Sequence, residues 1–215
     1  IFDGANLFGK FNKNSNKDLN FIFSSKLLNN YNKLCSDFIF GLLLKDYSFV
    51  KYKKENNAFK IESINIFCSK NRKIKEIDYN HNLLQSINFT KDLVSEPANV
   101  LNPVSYAKKC LSLRKLGLKV KVLDKSQLEK IGMRSLLGVS QGSHNEPRVV
   151  IFEWNLKKNI KPTILVGKGV TFDTGGISLK PSGGMEEMIT DMGGSAVVVG
   201  SMMNAALNNI KKPIV

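Results

Sequence analysis

The 215-residue chain is long enough for one large domain or two small ones, and its 42% hydrophobic and 23% charged residues are typical of a globular protein. The formal net charge of +14 comes mostly from lysines spread along the sequence, which argues against the clustered basic footprint of a nucleic-acid-binding protein. Three distant cysteines, Cys35, Cys68 and Cys110, argue against a disulfide framework or a CxxC metal site, and we expect a reducing, cytoplasmic setting.

The N-terminal part of the chain is predicted to hold a helix and a strand. Apolar residues recur every three or four positions between residues 21 and 49, which is the period of an amphipathic helix. Residues 61–67 alternate between apolar and polar side chains, as in a half-buried strand. The charged segment from Lys70 to Lys75 has neither pattern, and we place a domain boundary there.

The rest of the sequence alternates between helical and extended patterns, which is typical of an α/β domain with a partly parallel sheet. Asp124 is a candidate N-cap for one of the helices. The segment from Pro213 to Val215 resembles the start of another strand and the first residue is not methionine, so we expect both ends to be cut from a longer protein. The predicted helices cover residues 78–94, 104–113, 125–131 and 193–207, and the predicted strands cover residues 118–123, 148–154 and 163–166.

Several common catalytic motifs are absent or lack their structural context. The two histidines, His81 and His144, cannot form an HExxH zinc helix, and neither a phosphate-binding P-loop nor a dinucleotide fingerprint is present. Residues 138–142 match the GxSxG pattern around Ser140. A catalytic serine of this type needs a strand-to-helix turn, whereas Ser140 is followed by QGSHNEP and a strand. We therefore interpret this segment as a glycine-rich turn.

Four charged residues, Lys168, Asp173, Lys180 and Asp191, lie next to glycines or at the ends of predicted elements. Carboxylate oxygens suit Mg, Mn and Zn, so Asp173 and Asp191 are candidate ligands of a divalent cation. Lys168 can join them only if its amine loses the proton, which the charge of the ion and burial would favour. A protonated Lys180 beside the ion would stabilise an oxyanion developing on a carbonyl during acyl-group hydrolysis.

Each of these residues also has an ordinary structural explanation. Asp191 precedes a predicted helix and is a candidate N-cap, Asp173 is a candidate turn residue, and Lys168 alone resembles a surface residue. A five-residue step places Lys168 and Asp173 on opposite faces of a straight strand, and a bulge at Gly169 would be needed to bring them together. Spacing alone therefore leaves both explanations open.

The segment VGKGVTFDTGGISLKPSGGMEEMITDMGGSA, residues 166–196, closely resembles the signature region of the leucyl aminopeptidase family, the cytosol aminopeptidases with two metal ions. Residues 38–53 are similar to the end of that family's N-terminal domain. Residues 91–107 are similar to the start of its catalytic domain, and residues 138–154 to the segment before the metal-binding strand. The resemblance thus covers most of the chain, in order.

The resemblance implies an α/β fold in two parts. Residues 1–74 would be the C-terminal part of an N-terminal α/β domain. Residues 75–215 would be the first part of a metallopeptidase catalytic domain, which is α/β with a mixed, partly parallel sheet. The family's NTDAEGR-like segment, which carries the remaining ligands and a bicarbonate-binding arginine, has no counterpart in this sequence. We therefore predict that these 215 residues alone are inactive.

The resemblance also implies a role for each candidate residue. Lys168 and Asp191 are similar to the ligands of one ion, and Asp173 is similar to a carboxylate that bridges both ions. Lys180 is similar to the catalytic lysine that polarises the scissile carbonyl and stabilises the gem-diolate. Met188 is similar to the apolar residue that lines the pocket for the side chain at the substrate's N-terminus, although core packing would also explain it.

The function implied by the resemblance is a metal-dependent aminopeptidase that releases N-terminal amino acids, with a leucine-like preference, from peptides. Its cofactors would be two divalent ions, Mn²⁺ or Zn²⁺, that activate water, together with a bicarbonate. The family further implies a cytoplasmic homohexamer. Ile189 stands where a lysine is common in the family, but this change removes no ligand.

Two alternatives remain beside the aminopeptidase. Some bacterial relatives also bind DNA, so a non-enzymatic DNA-binding role of a basic aminopeptidase-like protein is the main one. A degenerate, inactive paralogue is disfavoured, because all four expected charged residues are present. No membrane partner is expected, since the sequence lacks an uncharged apolar segment of the roughly 18 residues that a membrane-spanning helix needs.

Overall fold

The chain divides into two compact units, Ile1–Asn88 and Phe89–Val215. Both units contain helices and strands, which confirms the expected α/β class. The assignment of domains to residues 1–74 and 75–215 stays a prediction, and the segment from Lys70 to Lys75 lies outside the described residues except for Ile74. The computed structural model describes residues 1–12, 14–54, 59–68, 74 and 76–215.

The N-terminal unit contains a parallel pair of strands, β1 (Asp18–Phe23) and β2 (Ser63–Cys68), joined through a long helix. That helix, α2 (Ser25–Asp46), packs against α1 (Phe2–Phe8). Buried apolar side chains of the strands and of α2 form the core of this unit, as the alternation of polarity along residues 61–67 predicted for β2.

The helix predicted over residues 21–49 is wrong at its start, because the first three of these residues extend β1. Ser24 then caps α2, since its hydroxyl accepts the N–H of Leu27 at 3.2 Å. Phe21 packs against the same core as α2, so its position in the apolar pattern is compatible with a strand or with a helix.

The helices and strands of the second half follow the predicted alternation. Helix α3 (Ile77–Ser95) crosses the division between the units. Asp124 is an N-cap as predicted, because its carboxylate accepts the N–H of Gln127 at 2.9 Å.

None of the described helices is both long and apolar enough to cross a membrane. The remaining elements are α4 (Pro103–Leu111), β3 (Lys119–Leu123), α5 (Lys125–Lys130), α6 (Arg134–Ser140), β4 (Val149–Glu153) and α7 (Gly193–Leu207), with 3-10 helices at Ser112–Leu116 and Met185–Thr190.

The strands of the C-terminal unit pair in both senses. β3 and β4 are antiparallel. Ile214 then bridges Trp154, next to β4, in the antiparallel sense and Thr163 in the parallel sense. Residues 163–166 were predicted as a strand, and the structure gives them an isolated bridge from Thr163 to Ile214 together with a backbone bond from the Leu165 N–H to the Val215 carbonyl. This pairing is the mixed, partly parallel arrangement that was expected.

Ser140 is the last residue of α6, so the interpretation of residues 138–142 as a glycine-rich turn is wrong for their first three positions. The hydroxyl of Ser140 donates to the carbonyl of Leu137 at 3.0 Å. This bond lies within the helix, which is an ordinary structural use of serine.

The core of the C-terminal unit holds the start of α7 against α4 and the β3–β4 pair. Burial of these apolar side chains supplies the main stabilisation of the unit. The buried members are Leu93, Leu101, Tyr106, Cys110, Leu113, Leu118, Val120, Phe152, Met192, Ala196, Val199 and Met202.

Candidate metal centre

Lys168 lies on a segment whose backbone packs against the start of α7. Its carbonyl accepts the N–H of Ser195 at 2.8 Å, which satisfies one of the free N–H groups in the first turn of the helix. A Cβ atom at Gly167 would come within 2.5 Å of the Gly194 carbonyl oxygen and 2.6 Å of Ser195 Cα. Only glycine allows this approach, and it fixes Lys168 beside the first turn of α7.

Gly167→Ala is therefore expected to destabilise the chain by about 1–3 kcal/mol, the usual cost of overpacking, because the new methyl group meets backbone atoms. Urea unfolding followed by circular dichroism measures this free energy. Gly183→Ala is the matched control, since a Cβ at that position meets nothing within 4 Å. Equal free energies of unfolding for the two variants would contradict the close approach.

A glycine-containing loop returns the chain from Asp173 to Lys180. Asp173 Oδ1 accepts the N–H of Gly175 at 2.8 Å, as in an Asx turn. Gly175 has a φ of +91°, a conformation that other residues avoid. The N–H of Lys180 then donates to the Thr174 carbonyl at 2.9 Å and closes the loop. As a result, Lys180 Nζ lies 3.1 Å from Asp173 Oδ2.

Asp191 follows the 3-10 helix Met185–Thr190, and the N-cap of α7 is the next residue, Met192, rather than Asp191 as the sequence had allowed. Asp191 Oδ1 lies 2.7 Å from Lys168 Nζ, and the Asp191 side chain is 18% exposed whereas that of Lys168 is 60% exposed. Met188, on the same short helix, accepts a hydrogen bond from Lys180 Nζ at its sulfur, 3.5 Å away. The five residues predicted from the sequence are therefore brought into two ion pairs and one sulfur contact.

The carboxyl group of Asp173 is held in its ionised form. Its pKa is lowered by the hydrogen bond from the Gly175 N–H, then by the bond from Lys180, and further by the positive charges of Lys180 and Lys168. The effect of Lys168 on Asp173 couples the two ion pairs electrostatically. An ionised carboxylate is the form of this side chain that would bind a divalent cation.

Asp191 provides the test of whether a metal ion fits these residues. Its Oδ2 is buried and has no hydrogen-bond partner among the residues that the structure describes. A buried carboxylate oxygen without a partner is costly, and a cation would satisfy it. Carboxylates combined with a neutral amine suit a hard or borderline divalent ion, so the residues fit.

A metal shell built from these residues would be partial. Within the described ranges, no three His, Cys, Asp or Glu side chains are grouped so that they could hold an ion. Asp173 and Asp191 supply carboxylates, and Lys168 supplies an amine. Such a set leaves coordination positions that other donors must fill.

Two side chains near this centre, Tyr106 and Ser195, are not predicted as site residues from the sequence. The hydroxyl of Tyr106, on α4, lies 3.0 Å from Ser195 Oγ. Both residues line a cavity of about 700 Å³ that also borders Gly167 and Phe172. Ser195 lies inside the signature segment, but no local pattern marks Tyr106, because its contact with Ser195 depends on how α4 packs against α7.

The chain is similar to known proteins in sequence and in fold. Residues 88–215 match the catalytic domain of the cytosol aminopeptidase family. The chain is 46% identical over 179 residues to the "Probable cytosol aminopeptidase" of Phytoplasma australiense, which covers 81% of this chain and 36% of that relative. Leucine aminopeptidase from Caenorhabditis elegans has a similar fold, with a TM-score of 0.76 and 21% identity, covering 98% of this chain and 43% of that chain. The bottromycin maturation enzyme BotP, solved in complex with Mn, gives a TM-score of 0.74 with 27% identity, covering 85% of this chain and 38% of that one.

These similarities confirm the resemblance carried by residues 166–196. The chain spans about a third of the length of the curated relatives it matches, as the 36% and 37% coverages of the two phytoplasma proteins show. The family match accounts for more than half of the sequence and contains the whole of the candidate centre. The chain therefore belongs to the cytosol aminopeptidase family.

Proposed function

We propose that the protein containing this chain is a metal-dependent aminopeptidase that releases N-terminal amino acids, with a leucine-like preference, from peptides. The observation that carries the proposal is the pairing of Lys168 with Asp191, whose second carboxylate oxygen is buried without a hydrogen-bond partner among the described residues. Membership of the cytosol aminopeptidase family supports the reaction class.

Three side chains would hold the ions. Lys168, as a neutral amine, and Asp191 would bind one ion, and Asp173 would bridge to a second. Asp173 suits a bridging role because its carboxyl is ionised and its side chain is 38% exposed. When bound, divalent ions supply Lewis acidity and lower the pKa of water, which provides a nucleophile at neutral pH.

Lys180 and Met188 would act on the substrate. Lys180, which is paired with Asp173, would donate a hydrogen bond to the scissile carbonyl oxygen, where negative charge develops in the transition state. Asp173, whose Oδ2 lies 3.1 Å from Lys180 Nζ, would orient the amine. The flexible thioether of Met188, next to the same amine, would contact the N-terminal side chain of the peptide.

The ions are proposed to be Mn²⁺ or Zn²⁺, since carboxylate and amine donors suit both. BotP was solved in complex with Mn, which favours Mn²⁺ as the first ion to test. A bicarbonate, a homohexameric assembly and a cytoplasmic location are proposed from the family resemblance. The comparisons give no support to the DNA-binding alternative.

We further propose that residues 1–215 do not hydrolyse peptides by themselves. The partial shell of Lys168, Asp173 and Asp191 supports this, because an ion held by so few donors binds weakly and is poorly oriented. The coverage of only 36% of a curated relative supports it as well.

Hydrolysis of leucine amide in the presence of Mn²⁺ tests both statements. We expect the intact protein to release leucine, to lose activity after dialysis against EDTA, and to regain it when Mn²⁺ is returned. N-acetyl-leucine amide is the control substrate and should resist cleavage. Cleavage of leucine amide by residues 1–215 alone would refute their inactivity, and failure of the Mn²⁺-loaded intact protein would refute the function.

A further inference from the structure

Ser195 contacts the segments that carry both proposed ligands of one ion. Its backbone N–H donates to the carbonyl of Lys168 at 2.8 Å. Its hydroxyl donates to the carbonyl of Met192, the residue after Asp191, at 2.7 Å. A single residue in the first turn of α7 therefore joins the backbone at Lys168 to the backbone next to Asp191.

The direction of the next hydrogen bond follows from a count of protons. A serine hydroxyl has one hydrogen, and in Ser195 it goes to the Met192 carbonyl, which can only accept. The hydroxyl of Tyr106, 3.0 Å from Ser195 Oγ, must then be the donor. The result is a chain of bonds with one direction, from Tyr106 through Ser195 to Met192.

Tyr106 is well suited to be a fixed donor. Its side chain belongs to the core and the residue is only 7% exposed. Burial raises the pKa of its phenol, so the hydroxyl keeps its proton at physiological pH. The helix that carries it, α4, begins with a capping box in which the Asn102 side chain accepts the N–H groups of Val104 and Ser105.

We propose that Tyr106 and Ser195 are positioning residues of the metal centre, which set the position of the Lys168 amine relative to the Asp191 carboxylate. The inference rests on the proposed function. Neither side chain binds an ion. Ser195 fixes the two backbone segments, and Tyr106 fixes the hydroxyl of Ser195 in the orientation that bonds Met192.

A purely structural role makes a different prediction. If Tyr106 served only to fill the core, Tyr106→Phe would keep almost all of its buried apolar surface and would leave ion affinity unchanged. If it positions Ser195, loss of one hydroxyl must alter ion binding even where the fold is retained. Residues that orient metal ligands typically change ion affinity by roughly 10- to 100-fold when removed.

Calorimetric titration of the intact, EDTA-treated protein with Mn²⁺ alone tests the proposal. We expect Tyr106→Phe and Ser195→Ala each to weaken Mn²⁺ binding by about 10-fold or more. The double variant should lose no more than Ser195→Ala, because Tyr106 acts through Ser195 and the two changes are therefore not additive. Ser195→Thr keeps the hydroxyl and should recover most of the affinity.

Ser140→Ala is the matched control, since Ser140 lines the same cavity and its hydroxyl donates to the Leu137 carbonyl, within α6. It should bind Mn²⁺ as the unchanged protein does. Thermal unfolding of each ion-free variant separates positioning from loss of the fold. Wild-type affinity in a folded Tyr106→Phe variant, or full additivity in the double variant, would overturn the positioning roles alone. Absence of Mn²⁺ binding by the unchanged protein would overturn the proposed function as well.

Discussion

Asp191→Asn should lower the affinity of the intact protein for Mn²⁺ by more than about 100-fold, beyond the range typical of residues that only orient ligands. Asparagine keeps the shape of the side chain but removes the charge that the ion and the Lys168 amine both need. The stability of the ion-free variant should change little, because the amide keeps a polar atom at the buried Oδ2 position and the lost ion pair is with a largely exposed lysine. Calorimetric titration and thermal unfolding measure the two quantities.

Asp124→Asn provides the control for this experiment. Asp124 caps α5 away from the proposed ligands, and asparagine is an equally good N-cap, so both affinity and stability should be unchanged. Equal Mn²⁺ affinities for the Asp191 and Asp124 variants would remove Asp191 from the metal centre. A large loss of stability in the ion-free Asp191 variant would favour a structural ion pair instead.

Lys180→Met should reduce kcat for leucine amide by roughly 10²- to 10³-fold, the usual effect of removing one donor to a developing oxyanion. Methionine has a similar length and no charge, so the loss reports on the ammonium group. Affinity for Mn²⁺ should change little, because the bond from the Gly175 N–H is the largest cause of the lowered pKa of Asp173 and does not depend on Lys180. Steady-state kinetics and calorimetry on the same sample separate the two effects.

Lys158→Met is the matched control for the kinetic experiment. Lys158 is exposed and lies outside the segment that holds the candidate residues. Its replacement should leave kcat unchanged. A kcat for Lys180→Met equal to that of the control would show that Lys180 does not act on the substrate. A parallel loss of ion binding would instead assign Lys180 a role in holding Asp173.

Local sequence patterns predicted much of the fold because they report local interactions. Helix α7 occupies the residues predicted for it, and Asp124 caps α5, since both follow from signals within a few residues. The start of α2 was predicted too early. Phe21 packs into the same core whether its segment is a strand or a helix, so its apolar character did not distinguish the two. The strand predicted over residues 163–166 depends on pairing with residues about 50 positions later, which a local pattern does not report.

In the candidate centre, too, the local features could be predicted and the contact between distant residues could not. The loop from Asp173 to Lys180 could be anticipated from its glycines, and the structure closes it with backbone bonds. The concern that a straight strand would separate Lys168 from Asp173 does not apply, because the structure assigns no strand to that segment. The contact of Tyr106 with Ser195 arises only from the packing of α4 against α7, and nothing in either local sequence predicts it.

The pairing of Lys168 with Asp191 and of Lys180 with Asp173 has a consequence for protein synthesis. All four residues lie within one short stretch of chain, so both pairs close small loops at little entropic cost. Contacts between residues that are near in sequence form quickly. Both ion pairs can therefore begin to form as soon as residues 168–191 have left the ribosome.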